Sequence, residues 1–121
     1  QNIALVGIPT PDEVLRAVFS LDPDSAPGPD GFGGAFWSSI IELDVTQAVT
    51  YFVHSGVLPA NINSNFVVLI PKNKEASSIE QFRPIVLGNL IFKIITKIMA
   101  TRLAEIAKAL IFFRTISLDF W

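Results

Sequence analysis

The spacing of apolar and polar positions along the chain predicts four helices and two strands. The predicted helices cover residues 11–21, 35–42, 45–55 and 89–110. Two short apolar runs, 66–70 and 82–87, are rich in branched residues and have turn-forming residues beside them, which is typical of strands. We expect these two runs to pair as an antiparallel hairpin. The sequence therefore predicts an α+β fold that is mostly helical and has one small antiparallel strand pair.

Local signals indicate where several of these helices begin and end. Thr10 can cap the first helix, because Pro11 follows at a position that needs no N–H group and Glu13 can complete a capping box. Gly56 follows the third helix at a position that favours a left-handed backbone. His54 lies beside this end, and we interpret it as a helix-terminal cation or a polar filler rather than a catalyst.

Apolar stripes indicate which sides of the helices face a core. The stripe of the first helix consists of Val14, Leu15, Val18 and Phe19. The stripe of the third helix consists of Val45, Ala48, Val49, Phe52 and Val53. The stripe of the last helix consists of Ile91, Ile94, Ile95, Ile98, Met99, Leu103, Ile106 and Leu110. We expect the strand at 66–70 to be buried, and we expect the ridge of the last helix and the faces of the first helices to leave an exposed apolar patch.

The composition adds an excess of apolar residues to this picture. Half of the 121 residues are hydrophobic, 17% are charged, and the mean hydropathy is +0.50. A soluble domain averages about 25% charged residues, so disorder is excluded and apolar surface should remain exposed. We expect the chain to be capable of self-association through that surface.

Several kinds of chemistry are excluded by residue type. The absence of cysteine rules out disulfides, Cys-based zinc sites and a thiol nucleophile, and it fits an intracellular, reducing compartment. One histidine cannot form a multi-histidine metal site, so we predict no metal and no cofactor in this chain. We also predict no membrane span, because the most apolar stretch, 85–100, is interrupted by Asn89, Lys93 and Lys97.

Charge is distributed unevenly along the chain. Residues 1–70 carry one basic and seven acidic side chains, whereas residues 71–114 carry eight basic and three acidic ones. This asymmetry fits a polyanionic partner for the second half. The alternative is a set of ordinary solvated helix faces.

Two cations lie at the ends of the predicted strands. Lys72 follows the first strand, and Arg83 begins the second. A lysine point charge and an arginine fork on one hairpin suit a triphosphate. The alternative is a surface lysine and an arginine that pairs with Glu75 or Glu80.

A turn-dense segment at 25–34 separates the first two predicted helices. Its centre, which we call the elbow, consists of Pro27, Gly28, Pro29, Asp30 and Gly31. The glycine spacing matches neither a dinucleotide-binding loop nor a P-loop. The residues themselves therefore predict a rigid connection between helices.

Six short motifs occur in a characteristic order along the chain. They are PDEV at 11–14, APGPDGF at 26–32, GVLP at 56–59, LIPK at 69–72, QFRPIVLGN at 81–89 and FKIITKIMATRL at 92–103. Together they resemble the reverse transcriptase of plant LINE-type (non-LTR) retrotransposons, over about residues 5–111. The resemblance implies the fingers subdomain of a right-hand polymerase, with RNA-directed DNA polymerisation as the parent activity. Residues 1–111 then form an incomplete fingers-like region, and 112–121 form a divergent aromatic tail.

The resemblance also implies roles for particular residues. Lys72 and Arg83 match positions that contact the deoxynucleoside triphosphate, and the elbow matches a motif near the template, for which we assign no contact. Lys93, Lys97 and Arg102 are candidates for contacts with the nucleic-acid backbone, with a solvated helix face as the alternative. The implied partners are an RNA template, a DNA primer and the nucleotide, and the implied place of action is the nucleus. Magnesium is implied for the complete polymerase.

The metal-binding aspartates of such a polymerase lie on its palm, in segments that would follow residue 111. Asp119 is a lone acid in different surroundings. We therefore expect a truncated reverse transcriptase fragment that is catalytically inactive alone. One alternative is a non-enzymatic module that binds nucleic acid or protein through the basic second half and exposed apolar surface. Another is an unrelated helical interaction domain with chance motifs.

Overall fold

Helices and one β-hairpin make up the part of the chain that the computed structural model describes, residues 5–37 and 42–118. In chain order the elements are α1 (Pro11–Phe19), α2 (Gly34–Trp37), α3 (Glu42–Ser55), β1 (Asn65–Pro71), β2 (Phe82–Gly88) and α4 (Leu90–Leu118). A single 3-10 turn, Ile79–Gln81, precedes β2. The predicted α+β class, mostly helical with a small antiparallel strand pair, is confirmed.

The start of α1 follows the capping signals of the sequence in part. Thr10 Oγ1 accepts a hydrogen bond from the Glu13 N–H at 3.2 Å, and Pro11 occupies the first helical position. The Glu13 carboxylate was expected to complete a capping box, but it binds Arg102 instead. The helix ends at Phe19, two residues before the predicted end.

The next two helices differ from their predicted bounds. The prediction for 35–42 is met by α2 at Gly34–Trp37, and residues 38–41 lie outside the described residues. The following helix, α3, begins at Glu42 rather than Val45, and it ends at Ser55 as predicted. Gly56 then adopts a φ of +68°, which confirms the expected left-handed end.

The hydrophobic core lies where α1, α3 and the first three turns of α4 meet. Its buried members are Val14, Ala17, Val45, Val49, Leu90, Ile94, Ile95 and Ile98. Half-buried apolar side chains, among them Phe52 and Ile91, pack around it. Among the residues whose side chains the structure describes, the buried core is therefore limited to these eight positions.

Parts of the predicted stripes are not buried. The side chains of Phe19, Ala48, Met99, Leu103 and Leu110 are exposed. For the three residues of α4, the reason is that buried apolar contact with α1 and α3 ends at Ile98, whereas α4 continues for twenty residues to Leu118. The predicted end near Leu110 is also wrong, because the aromatic segment extends the helix. An apolar stripe shows which side of a helix is hydrophobic. Burial also requires a packing partner, and the described part of the chain provides none at these positions.

The hairpin forms with the predicted antiparallel pairing. Val67 lies opposite Val86, and Ile70 lies opposite Arg83. The expectation that 66–70 is a buried strand is wrong, because all seven residues of β1 are exposed, with Val67 at 65%. Only β2 packs extensively against β1 among the described elements, so both faces of this two-stranded ribbon remain open to solvent.

Candidate functional site

The loop end of the hairpin brings Lys72 and Arg83 together. The Lys72 N–H donates to the Gln81 carbonyl at 2.8 Å, which extends the strand pairing by one residue beyond β1. Arg83 lies opposite Ile70, and Lys72 comes two residues after Ile70 on the same strand. Since alternate residues share a face of a strand, the two cations lie on one face as diagonal neighbours, roughly 7–8 Å apart at the backbone.

The loop between the strands positions the Lys72 side chain. Its Nζ donates to the carbonyl of Glu80 at 2.8 Å. The loop is shaped in turn by Gln81, whose Oε1 accepts from the N–H groups of Ser77 at 2.8 Å and Ser78 at 3.3 Å. The ammonium group is therefore held at the tip and keeps donors for a further partner.

Arg83 is exposed, and its guanidinium forms no ion pair with Glu75 or Glu80 in the part of the chain that the structure describes. The alternative interpretation of Arg83 as one half of such a pair is therefore not supported. Its fork of donors remains available to an anion.

The elbow is a structural junction at the start of α4. Asp30 Oδ2 accepts from the N–H of Leu90 at 2.9 Å, and Asp30 Oδ1 accepts from the N–H of Phe32 at 3.1 Å. Asn89 is 7% exposed; its Oδ1 accepts from the Asp30 N–H at 3.0 Å, and its Nδ2 donates to the Asn61 carbonyl at 2.8 Å. Asp30 thus caps a helix that begins sixty residues later in the sequence.

Two glycines of the elbow are required by geometry. A Cβ on Gly28 would lie 2.4 Å from the carbonyl group of Gly88 and 2.6 Å from the Asn89 nitrogen. Gly31 adopts a φ of +75°, which side chains disfavour. The local turn residues were recognisable from the sequence, whereas the role of Asn89 was missed. The only sequence signal for Asn89 is a small polar residue that interrupts an apolar stretch directly before a helix.

The three candidate contacts with the nucleic-acid backbone occupy different surroundings. Lys93 Nζ donates to the Ala26 carbonyl at 2.9 Å and so ties α4 to the segment before the elbow. Lys97 is exposed on a groove of about 470 Å³ between α1 and α4, which Arg16 and Glu105 also line. No partner of the Lys97 ammonium group occurs among the residues whose side chains the structure describes, 5–36 and 44–112.

The Arg102 side chain forms hydrogen bonds within the fold. Its Nε and Nη2 donate to the two carboxylate oxygens of Glu13 at 2.6 and 2.8 Å. Its Nη1 donates to the carbonyls of Leu5 at 3.1 Å and Gly7 at 2.6 Å. With 13% of the side chain exposed, the guanidinium is engaged within the fold rather than presented to a polyanion.

The electrostatics of this pair are mutual. The hydrogen bonds from Arg102 hold the pKa of Glu13 below its ordinary value, although burial acts in the opposite direction. The Glu13 carboxylate in turn raises the pKa of Arg102. His54 lies exposed in the last turn of α3, at the helix end where the sequence placed it.

The described residues do not fit the magnesium ion that the resemblance implies for a complete polymerase. Among the residues whose side chains the structure describes, 5–36 and 44–112, there is no group of three or more acidic or histidine side chains that could hold a metal ion. None of the described helices is both long enough and apolar enough to cross a membrane. The chain matches no protein-family model.

Proposed function

We propose that this chain is the fingers portion of a LINE-type reverse transcriptase and that it binds the phosphates of a deoxynucleoside triphosphate through Lys72 and Arg83. The observation that carries the proposal is their placement on one face at the free end of the hairpin. The motif resemblance supplies the nature of the ligand. Action in the nucleus follows if the proposal is correct.

The geometry suits a chain of phosphates. A spacing of roughly 7–8 Å between the two backbones lets both side chains reach neighbouring phosphates. Arg83 can donate two parallel hydrogen bonds to one phosphate, while Lys72 adds a point charge on the next. The backbone pairing fixes the Cα positions of both residues, so binding costs little further conformational entropy of the backbone.

A separate surface, the groove between α1 and α4 that Lys97 lines, is proposed to bind nucleic acid weakly. In the α4 set, the ammonium group of Lys97 contacts no partner among the residues whose side chains the structure describes, whereas Lys93 and Arg102 hold the fold together. We therefore expect affinity for an RNA–DNA hybrid that falls steeply with salt. We expect the isolated chain to give no product in a primer-extension assay, and metal-dependent extension would contradict this proposal.

Nucleotide binding is tested by the fluorescence anisotropy of a labelled deoxynucleoside triphosphate. We expect Lys72→Ala and Arg83→Ala each to weaken binding about tenfold, the loss of one charge-assisted contact. The control is Lys108→Ala, which removes an exposed cation of α4 that pairs with Glu105. Its affinity should stay within about twofold of the unmodified chain.

Two outcomes would overturn the nucleotide site. One is the absence of saturable binding by the unmodified chain at millimolar nucleotide. The other is an equal loss in Lys108→Ala and in the two hairpin variants, because this would reveal attraction to overall charge alone.

A second candidate function is a protein-interaction module, favoured by the exposed apolar faces of the hairpin. Phe66, Val67 and Val86 are all more than half exposed. Exposed apolar surface of this extent is typical of a protein contact. Loss of nucleotide binding in every assay, with specific protein association retained, would favour this function over the first.

A further inference from the structure

The outer edge of β1 has backbone groups that pair with no other strand in the part of the chain that the structure describes. In an antiparallel pair, residues that exchange hydrogen bonds alternate with residues that do not. The bond from the Lys72 N–H to the Gln81 carbonyl places Ile70 and Arg83 in an exchanging pair. Pro71 therefore belongs to the residues that exchange no hydrogen bonds with β2, which fits its lack of an N–H group. By the same alternation, the N–H and C=O groups of Asn65, Val67 and Leu69 point away from β2. We call residues with this backbone orientation the outward set.

The outer edge of β2 is not equivalent. Pro84 lies opposite Leu69, so it occupies one of the outward positions and offers no N–H there. At the end of the strand, the backbone of Gly28 closely approaches the carbonyl of Gly88. The β2 edge is therefore interrupted in its middle and covered at its base. β1 is the edge that can accept another strand along its length.

We propose that the β1 edge pairs antiparallel with β1 of a second copy of this chain, about a twofold axis at Val67. In this register Val67 faces Val67 of the second copy, and Asn65 faces Leu69. All of these residues belong to the outward set, so about six backbone hydrogen bonds form. An axis at Phe66 forms about four, because residues outside the strand enter the pairing, and an axis at Val68 forms no more than about six, because Pro71 enters without an N–H to donate.

The composition of the strand favours a second copy as the occupant. Residues 65–71 contain no charged side chain, so the pairing brings no like charges together. Phe66 lies beside Val68 of the other copy on one face, which continues the apolar surface across the junction. The product is a four-stranded sheet, whereas a lone two-stranded hairpin is marginally stable in water. The twofold arrangement pairs the β1 edge of one copy with the β1 edge of the other, so the assembly closes as a dimer.

The extent of the contact predicts its strength. Pairing of five residues buries well under the roughly 800 Å² per partner of a standard interface. We therefore expect a dimer that dissociates in the micromolar range or above. This inference does not depend on nucleotide binding, because the edge of β1 and the cation face are different surfaces of the hairpin.

A matched pair of proline variants tests the edge. Val67→Pro removes an outward N–H from β1 without removing a bond within the hairpin. Val86→Pro makes the same change directly opposite, on β2. Sedimentation velocity across concentration should show that Val67→Pro lowers the dimer affinity at least tenfold and that Val86→Pro leaves it within about twofold. Equal effects of the two variants would overturn the proposal, as would a chain that stays monomeric at hundreds of micromolar.

Single cysteines test the register without relying on proline. The chain has no cysteine of its own. In Val67→Cys, the proposed axis brings the two introduced residues to a Cα separation of about 5.5 Å, within disulfide range. The control, Ile70→Cys, also lies exposed on β1, but its two copies would be about 20 Å apart. Rapid cross-linking of the first variant alone supports the proposal. Comparable cross-linking of both, or open-ended polymers, would overturn it.

Discussion

Glu13 and Arg102 join the first turn of α1 to the middle of α4 by two parallel hydrogen bonds across 89 positions of sequence. The same guanidinium also binds the carbonyls of Leu5 and Gly7. One side chain therefore links α4, the start of α1 and the segment before it. This contact lies one turn beyond Ile98, the last residue of α4 in the buried core.

Replacement of Arg102 by alanine should lower the free energy of unfolding by about 2–3 kcal/mol, because it leaves a partly buried carboxylate and two carbonyls without their donor. Urea denaturation followed by circular dichroism measures the change. The control is Arg16→Ala, which breaks an exposed ion pair with Asp12 and should cost less than about 1 kcal/mol. Equal losses in the two variants would contradict the structural role of Arg102.

The Glu13 carboxyl should make stability depend on pH in the acid range. Its pKa is lower in the folded chain than in the unfolded one, mainly because Arg102 donates to it. Its contribution is therefore present above the unfolded pKa, near 4.3, and is lost as the pH falls through the folded value. Urea midpoints of the unmodified chain and Glu13→Gln should converge between about pH 5 and pH 3. A difference that stays constant over this range would contradict the prediction.

A methyl group at Gly28 should destabilise the chain strongly. The Cβ of Gly28→Ala would meet backbone atoms of Gly88 and Asn89, which cannot move without displacing the end of β2. We expect a loss of about 2–3 kcal/mol, measured by thermal and urea unfolding. Gly33→Ala is the control, since its nearest neighbour would be the Ser25 carbonyl at 3.7 Å, and its effect should be within about 0.5 kcal/mol. A Gly28→Ala variant as stable as this control would contradict the close approach.

Features that depend on neighbouring residues were predictable from the sequence. Thr10 caps α1, Gly56 ends α3, and the two apolar runs pair as an antiparallel hairpin. Lys72 and Arg83 were singled out from the strand ends, and the pairing of the strands does bring them to one face. These features could be predicted because capping, turns and alternation act over a few positions.

Features that depend on distant segments were not predictable in the same way. The apolar run at 66–70 predicts a strand, but whether anything covers it depends on other elements, and here both faces are open. Arg102 resembles its neighbours Lys93 and Lys97 in sequence, yet its partner is Glu13. Asp30 and Leu90 similarly meet across sixty positions. The periodicity and motifs of a single sequence do not show which distant residues will pair.

The junction at Asn89 governs how the hairpin can move. A single residue separates β2 from α4, and hydrogen bonds to Asp30 and Asn61 fix it from two sides. The hairpin is thus fixed at its base, and Arg83 lies about 20 Å along the strand from Asn89. Displacement of the tip must come from bending along the strands rather than rotation at a joint. The anion site proposed at the tip therefore rests on a support that is anchored at one end.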